Sequence, residues 1–188
     1  MPVLLVLAGP SGAGKGTLGR ALLDAEPDLW WSVSWATRSA RPGEVDGVDY
    51  HFVTRTEFER LRDAGGFLEW FEVYGDLKGT PAAPILDHRA VGHDVLIEVD
   101  VQGARAIRKR FPDAVLVFVA PPSREEQRAR LLNRAQDSPE GIERRLAEAE
   151  AEEAVAVDLF DHVVVNDQLE RAFAEVTAIL TVRRAMDR

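Results

Sequence analysis

Short apolar runs rich in β-branched residues alternate with amphipathic stretches along most of the chain. Residues 3–8, 94–99, 114–119 and 162–165 read as buried parallel strands, because a strand covered on both faces loses the polar alternation of a surface strand. Helical patterns lie between them, over 15–25, 101–110, 124–133, 140–159 and 168–184. Ser123-x-x-Glu126 makes a capping box before the third of these helices. Ser138-Pro139 supplies an N-cap and a first-turn proline before the fourth. This rhythm predicts an α/β fold, a parallel sheet core with helices on both faces.

From Trp30 to about Ala83 the rhythm breaks. The interval holds the strand-like runs Trp31-Ser32-Val33-Ser34, Tyr50-His51-Phe52-Val53 and 67–73, with a short helix after the capping box Thr54-x-x-Glu57. Strict alternation in 67–73 puts Phe67, Glu69, Phe71 and Val73 on one face and Leu68, Trp70 and Glu72 on the other. Glu69 then shares a face with apolar residues. Two readings follow: a carboxylate at the solvent edge of a core, or one held in an apolar pocket to accept hydrogen bonds from a ligand.

At 188 residues the chain supports one good core, so a second unit must be an insertion. No apolar run approaches the length of a membrane span, and the N-terminal run is too short for a signal peptide, so a soluble cytoplasmic protein is expected. There is no cysteine, and the four histidines show no ligand spacing. The net charge of −9 argues against a nucleic-acid partner. Arginines nevertheless gather at Arg38 and Arg41 and again from Arg124 to Arg145, so local anion sites can exist on an acidic protein. Monomer and homodimer are equally open.

The candidate chemistry starts directly after the first apolar run. Gly9-Pro10-Ser11-Gly12-Ala13-Gly14-Lys15-Gly16-Thr17 has the layout of a phosphate-binding loop between a strand and a helix. Its glycines let backbone N–H groups converge on phosphate oxygens, Lys15 reaches the β- and γ-phosphates, and the helix start presents its positive dipole end. A nucleoside triphosphate is the expected ligand. Gly16 stands where a Ser or Thr usually follows the lysine, and the hydroxyl comes one residue later, on Thr17.

This ending looks like the variant used by nucleoside monophosphate kinases, and further blocks resemble the guanylate kinases, which move the γ-phosphate of ATP onto GMP. They are Ser32-Val33-Ser34, the run from Thr37-Arg38-Ser39-Ala40-Arg41-Pro42-Gly43 to Asp46-Gly47-Val48-Asp49-Tyr50, and Phe67-Leu68-Glu69-Trp70. Gly79-Thr80-Pro81, Asp100-Val101-Gln102-Gly103, Arg144-Arg145-Leu146 and Val164-Val165-Asn166-Asp167 follow in the family's order and spacing. The similarity runs from about Pro2 to Thr181. It implies a phosphate-loop nucleoside triphosphate hydrolase fold in a single domain, 1–188. The core would be 1–31, 84–123 and 156–188, with a mixed α/β GMP-binding insertion at 32–83 and a helical lid at 124–155.

The resemblance also implies roles. ATP would meet Gly9 to Thr17, Arg130, Arg134 and Asn166, with Lys15, Arg130, Arg134 and Arg145 acting on the transferring phosphoryl group. GMP, and dGMP with it, would meet Arg38, Arg41 and Tyr50 at its phosphate and Ser34, Glu69, Thr80 and Asp100 around its base. One carboxylate can accept from both guanine N1–H and the 2-amino group, whereas adenine lacks that donor pair. Mg²⁺ is the expected cofactor, held mainly by ATP and water, with Thr17 or Asp100 as the protein groups open to it. No catalytic base is needed, since a phosphate acceptor is already anionic at neutral pH.

Three positions depart from the family. Lys78 stands for a tyrosine that donates to the GMP phosphate, and the ammonium is expected to make that contact instead. Trp35 puts an indole beside the acceptor loop with no evident reason. Leu132-Asn133-Arg134-Ala135 keeps the lid arginine but loses two glycines, which predicts a stiffer lid. Two alternatives keep the fold: a ribose 1,5-bisphosphate kinase, which needs no base-reading carboxylate, and a non-catalytic interaction module, which lacks a working phosphate loop.

Overall fold

The computed structural model describes residues 1–73, 75–133 and 139–186. β1 (Leu4–Ala8) leads through a glycine-rich turn into α1 (Lys15–Ala25), and β2 (Leu29–Ser32) follows. An excursion comprises β3 (Trp35–Ala36), β4 (His51–Phe52), α2 (Arg55–Asp63), β5 (Phe67–Val73), β6 (Asp76–Pro81) and α3 (Ala82–Ala90). Alternation then resumes with β7 (Asp94–Glu98), α4 (Val101–Arg110), β8 (Val115–Ala120), α5 (Arg124–Asn133), α6 (Pro139–Leu159), β9 (His162–Val165) and α7 (Leu169–Met186).

The core sheet is parallel throughout, in the order β2-β7-β1-β8-β9. Alternate side chains of β1 feed two cores. Leu5 and Leu7 pack with Leu18 and Leu22 of α1 and Val176 and Leu180 of α7, while Leu4 and Val6 pack with Ile85 of α3 and Ala104 and Ile107 of α4. Each such side chain, fully buried, contributes about 1.5–3 kcal/mol, and the two-sided cover explains why β1 carries no polar residue. The loop after β1, Asp100 after β7 and Asn166 after β9 all leave the sheet at its carboxyl edge, where open α/β sheets bind ligands. Among the described residues no helix is long and apolar enough to cross a membrane.

The excursion forms a second, mixed sheet in the order β4-β3-β6-β5, in which only β3 and β4 run parallel. Its sequence reading needs three corrections. The run at Trp31 and Ser32 does not join it: β2 pairs with β7 at the edge of the core sheet, because Leu29 and Ser32 are buried there and Trp31 packs onto the core. β6 and α3 were not foreseen. Asp76–Pro81 carries a glycine and ends in proline, which reads as loop, and pairing with β5 on one edge and β3 on the other holds it as a strand.

The third correction concerns the face of Glu69. Phe67 pairs with Pro81 but Glu69 pairs with Thr80, so a β-bulge at Leu68 breaks the alternation. Phe67 thereby joins Phe58 and Leu77 in the small core of the second sheet, Leu68 joins the main core, and Glu69 turns to the opposite face with Phe71, Lys78 and Thr80. Gly79 makes room for this. A Cβ there would lie 2.8 Å from Trp70 Cβ and 3.0 Å from the Phe67 ring. Trp35 belongs to the same small core, edge-on to Phe67 at 5.8 Å between ring centres.

The capping boxes differ in outcome. At α2 both halves form, Thr54 Oγ1 accepting from Glu57 N–H at 3.2 Å and Glu57 Oε2 from Thr54 N–H at 2.9 Å. At α5 the Ser123 hydroxyl accepts from Glu126 N–H at 3.2 Å, while the Glu126 carboxylate takes Arg130. Ser138 lies outside the described residues.

Candidate active site

The glycine-rich turn after β1 closes around its own lysine. Lys15 Nζ donates to Gly9 O at 2.7 Å and Pro10 O at 3.1 Å, and the Ala13 N–H donates to Pro10 O at 3.2 Å. Gly9 is obligatory: its φ is 138°, and a Cβ would lie 2.3 Å from the Val119 carbonyl oxygen of the next strand. The turn therefore presses against β8 while its N-terminal helix end stays open to an anion.

A cleft of about 360 Å³ runs from this turn to the second sheet. Gly12, Lys15 and Gly16 line one side, Arg38, Arg41, Tyr50 and Lys78 the other, and Arg145 of α6 closes over them. Two clusters that the sequence separates by more than twenty residues thus face one volume. Next to it, Gly12, Gly14, Thr17, Arg130 and Asn166 line a second cavity of about 350 Å³. Arg130 Nη2 donates to Asn166 O at 3.0 Å there, and Asn166 Nδ2 donates to Ala13 O at 2.8 Å. Arg134 lies outside the described residues.

Arg38 is pre-positioned. Its two terminal nitrogens donate to Glu44 at 2.6 and 2.7 Å, the Arg41 N–H donates to the same carboxylate at 2.8 Å, and the guanidinium lies over the Tyr50 ring at 5.0 Å. The Arg38 hydrogen bonds hold the Glu44 carboxyl below its ordinary value. Lys78 also reaches this ring, its Nζ 5.0 Å from the Tyr50 centre. Burial disfavours its charge, but the Tyr50 oxygen, Glu98 and Asp100 outweigh that and raise its pKa.

Behind Lys78 sits a buried polar cluster. Thr80 Oγ1 donates to Glu69 Oε1 at 2.5 Å and lies 3.4 Å from Ser34 Oγ, and Thr80 has no exposed surface. Burial pushes the Glu69 carboxyl up to about 7, with Asp100 adding to the rise and the Thr80 hydrogen bond and Lys78 opposing it. Glu69 is thus buried rather than at the solvent edge of a core, and its neighbours are the polar groups of Thr80, Lys78 and Asp100 rather than an apolar pocket. Asp100 itself caps α4, Oδ1 accepting from Gly103 N–H at 2.8 Å.

Three residues in the site escaped the sequence reading. Glu44 follows Arg41 by three residues, and that offset was the available signal. Gln127 of α5 donates to Ser11 O and carries no motif. Glu98 ends β7, and its Oε2 lies 3.4 Å from where a Gly16 Cβ would stand, so it faces the slot that a hydroxyl residue fills in the commoner loop. Its position at the end of an apolar strand beside the loop strand was legible. Mg²⁺ takes oxygen ligands and usually one or two carboxylates plus substrate phosphates. Glu98 and Asp100 fit that donor set, whereas Thr17 lines the neighbouring cavity.

Comparison with known proteins agrees with this geometry. A family model described as guanylate kinase matches residues 1–183. The guanylate kinase of Symbiobacterium thermophilum is 51% identical over 184 residues, covering 97% of this chain and 86% of that protein. That of Rubrobacter xylanophilus is 52% identical over 177 residues, covering 94% and 92%. Among solved structures, the guanylate kinase from Anaplasma phagocytophilum superposes with a TM-score of 0.77 at 34% identity, over 96% of this chain and 85% of that one.

Proposed function

The chain belongs to the guanylate kinase family and is by that membership an ATP:GMP phosphotransferase, and we propose that the cleft between the glycine-rich turn and Arg38/Arg41 is where the two nucleotides meet. The observation that carries this reading is the single volume lined by both phosphate-directed clusters. A donor bound at the turn and an acceptor bound at Arg38 and Arg41 would present their phosphates to each other across it.

In this reading the backbone N–H groups of Gly12 and Gly14 to Thr17, together with the Lys15 ammonium, hold the β- and γ-phosphates of ATP. Lys15 leaves the carbonyls of Gly9 and Pro10 to do so. Arg38, Arg41, Tyr50 and Lys78 hold the phosphate of GMP, the guanidinium of Arg38 exchanging one carboxylate for an anion of like geometry. Glu69 accepts from the guanine N1–H and 2-amino groups, Ser34 and Thr80 complete the base pocket, and Asp100 borders it. An oxygen of the GMP phosphate then attacks the γ-phosphorus in line, and ADP leaves. Arg145, which lines the cleft, Arg130, which lines the neighbouring cavity, and Arg134 are assigned to the charge that spreads over the transferring group. Bound Mg²⁺ would neutralise charge on the triphosphate, with Glu98 and Asp100 orienting its water ligands. The helices α5 and α6 act as the lid, and residues 32–83 as the moving acceptor part, which together exclude water as a competing acceptor. dGMP fits the same contacts, since none of them uses the 2′-hydroxyl. The cytoplasm, where both nucleotides occur, is the proposed location.

The assignment is tested by splitting the kinetic constants. Arg38→Ala should raise KM for GMP by roughly 10–100-fold and leave KM for ATP within twofold, as expected when a charge-assisted contact to one substrate is lost. An unchanged KM for GMP would remove Arg38 from the acceptor site.

A further inference from the structure

Within the glycine-rich turn Lys15 takes the carbonyls of Gly9 and Pro10, whereas the carbonyls of Ser11 and Ala13 are held by two side-chain amides that do not line the cleft. Gln127 Nε2 donates to Ser11 O at 2.8 Å, and Asn166 Nδ2 donates to Ala13 O at 2.8 Å. A trans peptide unit carries its C=O and N–H in opposite directions. Holding the Ser11 carbonyl outward therefore turns the Gly12 N–H to the other side, and holding the Ala13 carbonyl does the same for Gly14. Both glycines line the cleft that faces Lys15.

We propose that Gln127 is a positioning residue for the donor phosphates, setting the direction of the Gly12 N–H through the Ser11 carbonyl. The proposal rests on the turn being the ATP phosphate site. Four features of the structure carry it. Gln127 is completely buried, a costly place for an amide that does nothing. Both ends of that amide are used, because Oε1 accepts from Arg124 Nη1 at 2.8 Å, which fixes Nε2 toward Ser11. The stem packs on the turn itself, with Cγ 3.2 Å from the site of a Cβ on Gly12. Ser11 is also gripped through its side chain, Oγ accepting from Arg145 Nη1 at 3.2 Å. One residue of the turn is thus tied to α5 through its carbonyl and to α6 through its hydroxyl.

A purely structural glutamine would lower stability when replaced and leave substrate affinities alone. A positioning residue would selectively weaken ATP. Gln127→Met keeps the length and apolar packing of the stem but leaves the Ser11 carbonyl without its donor. Steady-state kinetics of this variant should show KM for ATP raised about tenfold, the scale of one lost hydrogen bond to a charged ligand, and KM for GMP within twofold of wild type. The thermal shift produced by saturating ADP should shrink in parallel. KM for ATP within twofold of wild type, with only the melting temperature lowered, would overturn the proposal. If the variant does not fold, Arg124→Ala decides: it removes the donor that orients the Gln127 amide, and KM for ATP should rise two- to threefold, no rise being the contrary result. Wild-type protein that shows no saturation with ATP would refute the site rather than the role of Gln127.

Discussion

The Thr80 hydroxyl donates to Glu69 Oε1 at 2.5 Å, and the two residues face each other directly across β5 and β6. The bond is possible only because the bulge at Leu68 shifts the register by one, which turns Phe67 into one core and Glu69 away from it. The direction of the Glu69 carboxylate and the packing of the second sheet therefore come from the same backbone irregularity.

Burial of Glu69 has a cost that pH reveals. Its carboxyl sits at about 7 in the folded chain against an ordinary value of 4.5, so between those limits the folded state holds a proton that the unfolded chain has released. Stability from this group falls as pH rises through that window, by on the order of 3 kcal/mol once pH exceeds 7. Glu69→Gln should melt near wild type at pH 5 and clearly above it at pH 8, while losing GMP binding. A melting difference that stays constant from pH 5 to pH 8 would contradict the buried, strained carboxylate.

Lys78 lies beside the Tyr50 ring and within the electrostatic reach of Glu98 and Asp100. Lys78→Ala should raise KM for GMP roughly tenfold, since a charge-assisted phosphate contact is lost. KM for ATP should change less than twofold. An unchanged KM for GMP would mean that the lysine only balances the carboxylates.

Trp35 is accounted for by packing. Its indole lies on the face of the second sheet that carries Phe67 and Leu77, away from Glu69 and Lys78. Trp35→Ala should cost roughly 2–4 kcal/mol in chemical denaturation, somewhat less than emptying a fully buried aromatic position because the indole is only partly buried. The ratio of kcat/KM for GMP to that for AMP should hold. A tenfold change in that ratio would put the indole in the base pocket.

Much of this was legible in the residues, for physical reasons. α1, α4 and α5 begin and end where their periodicity and flanking residues place them, and β1, β7, β8 and β9 follow from unbroken apolar runs, because two-sided burial leaves no other composition. The loop at Gly9 to Thr17 was readable because its geometry demands its glycines. What escaped reading depends on neighbours in space. β6 owes its form to β5 and β3, β2 owes its sheet to β7, and the bulge that aims Glu69 is set by the volumes of Phe67 and Gly79, which alternation alone cannot express. Glu98 and Gln127 have no motif, and only the approach of Gly16 and Ser11 gives them a role.

The central claim is transfer from ATP to GMP, and a coupled assay of ADP release by the purified protein with ATP and Mg²⁺ tests it most directly. GMP and dGMP should each support turnover, with AMP and ribose 1,5-bisphosphate at background, because only guanine offers Glu69 its pair of donors. Absence of GMP-dependent ADP release, or equal release with AMP, would contradict the account.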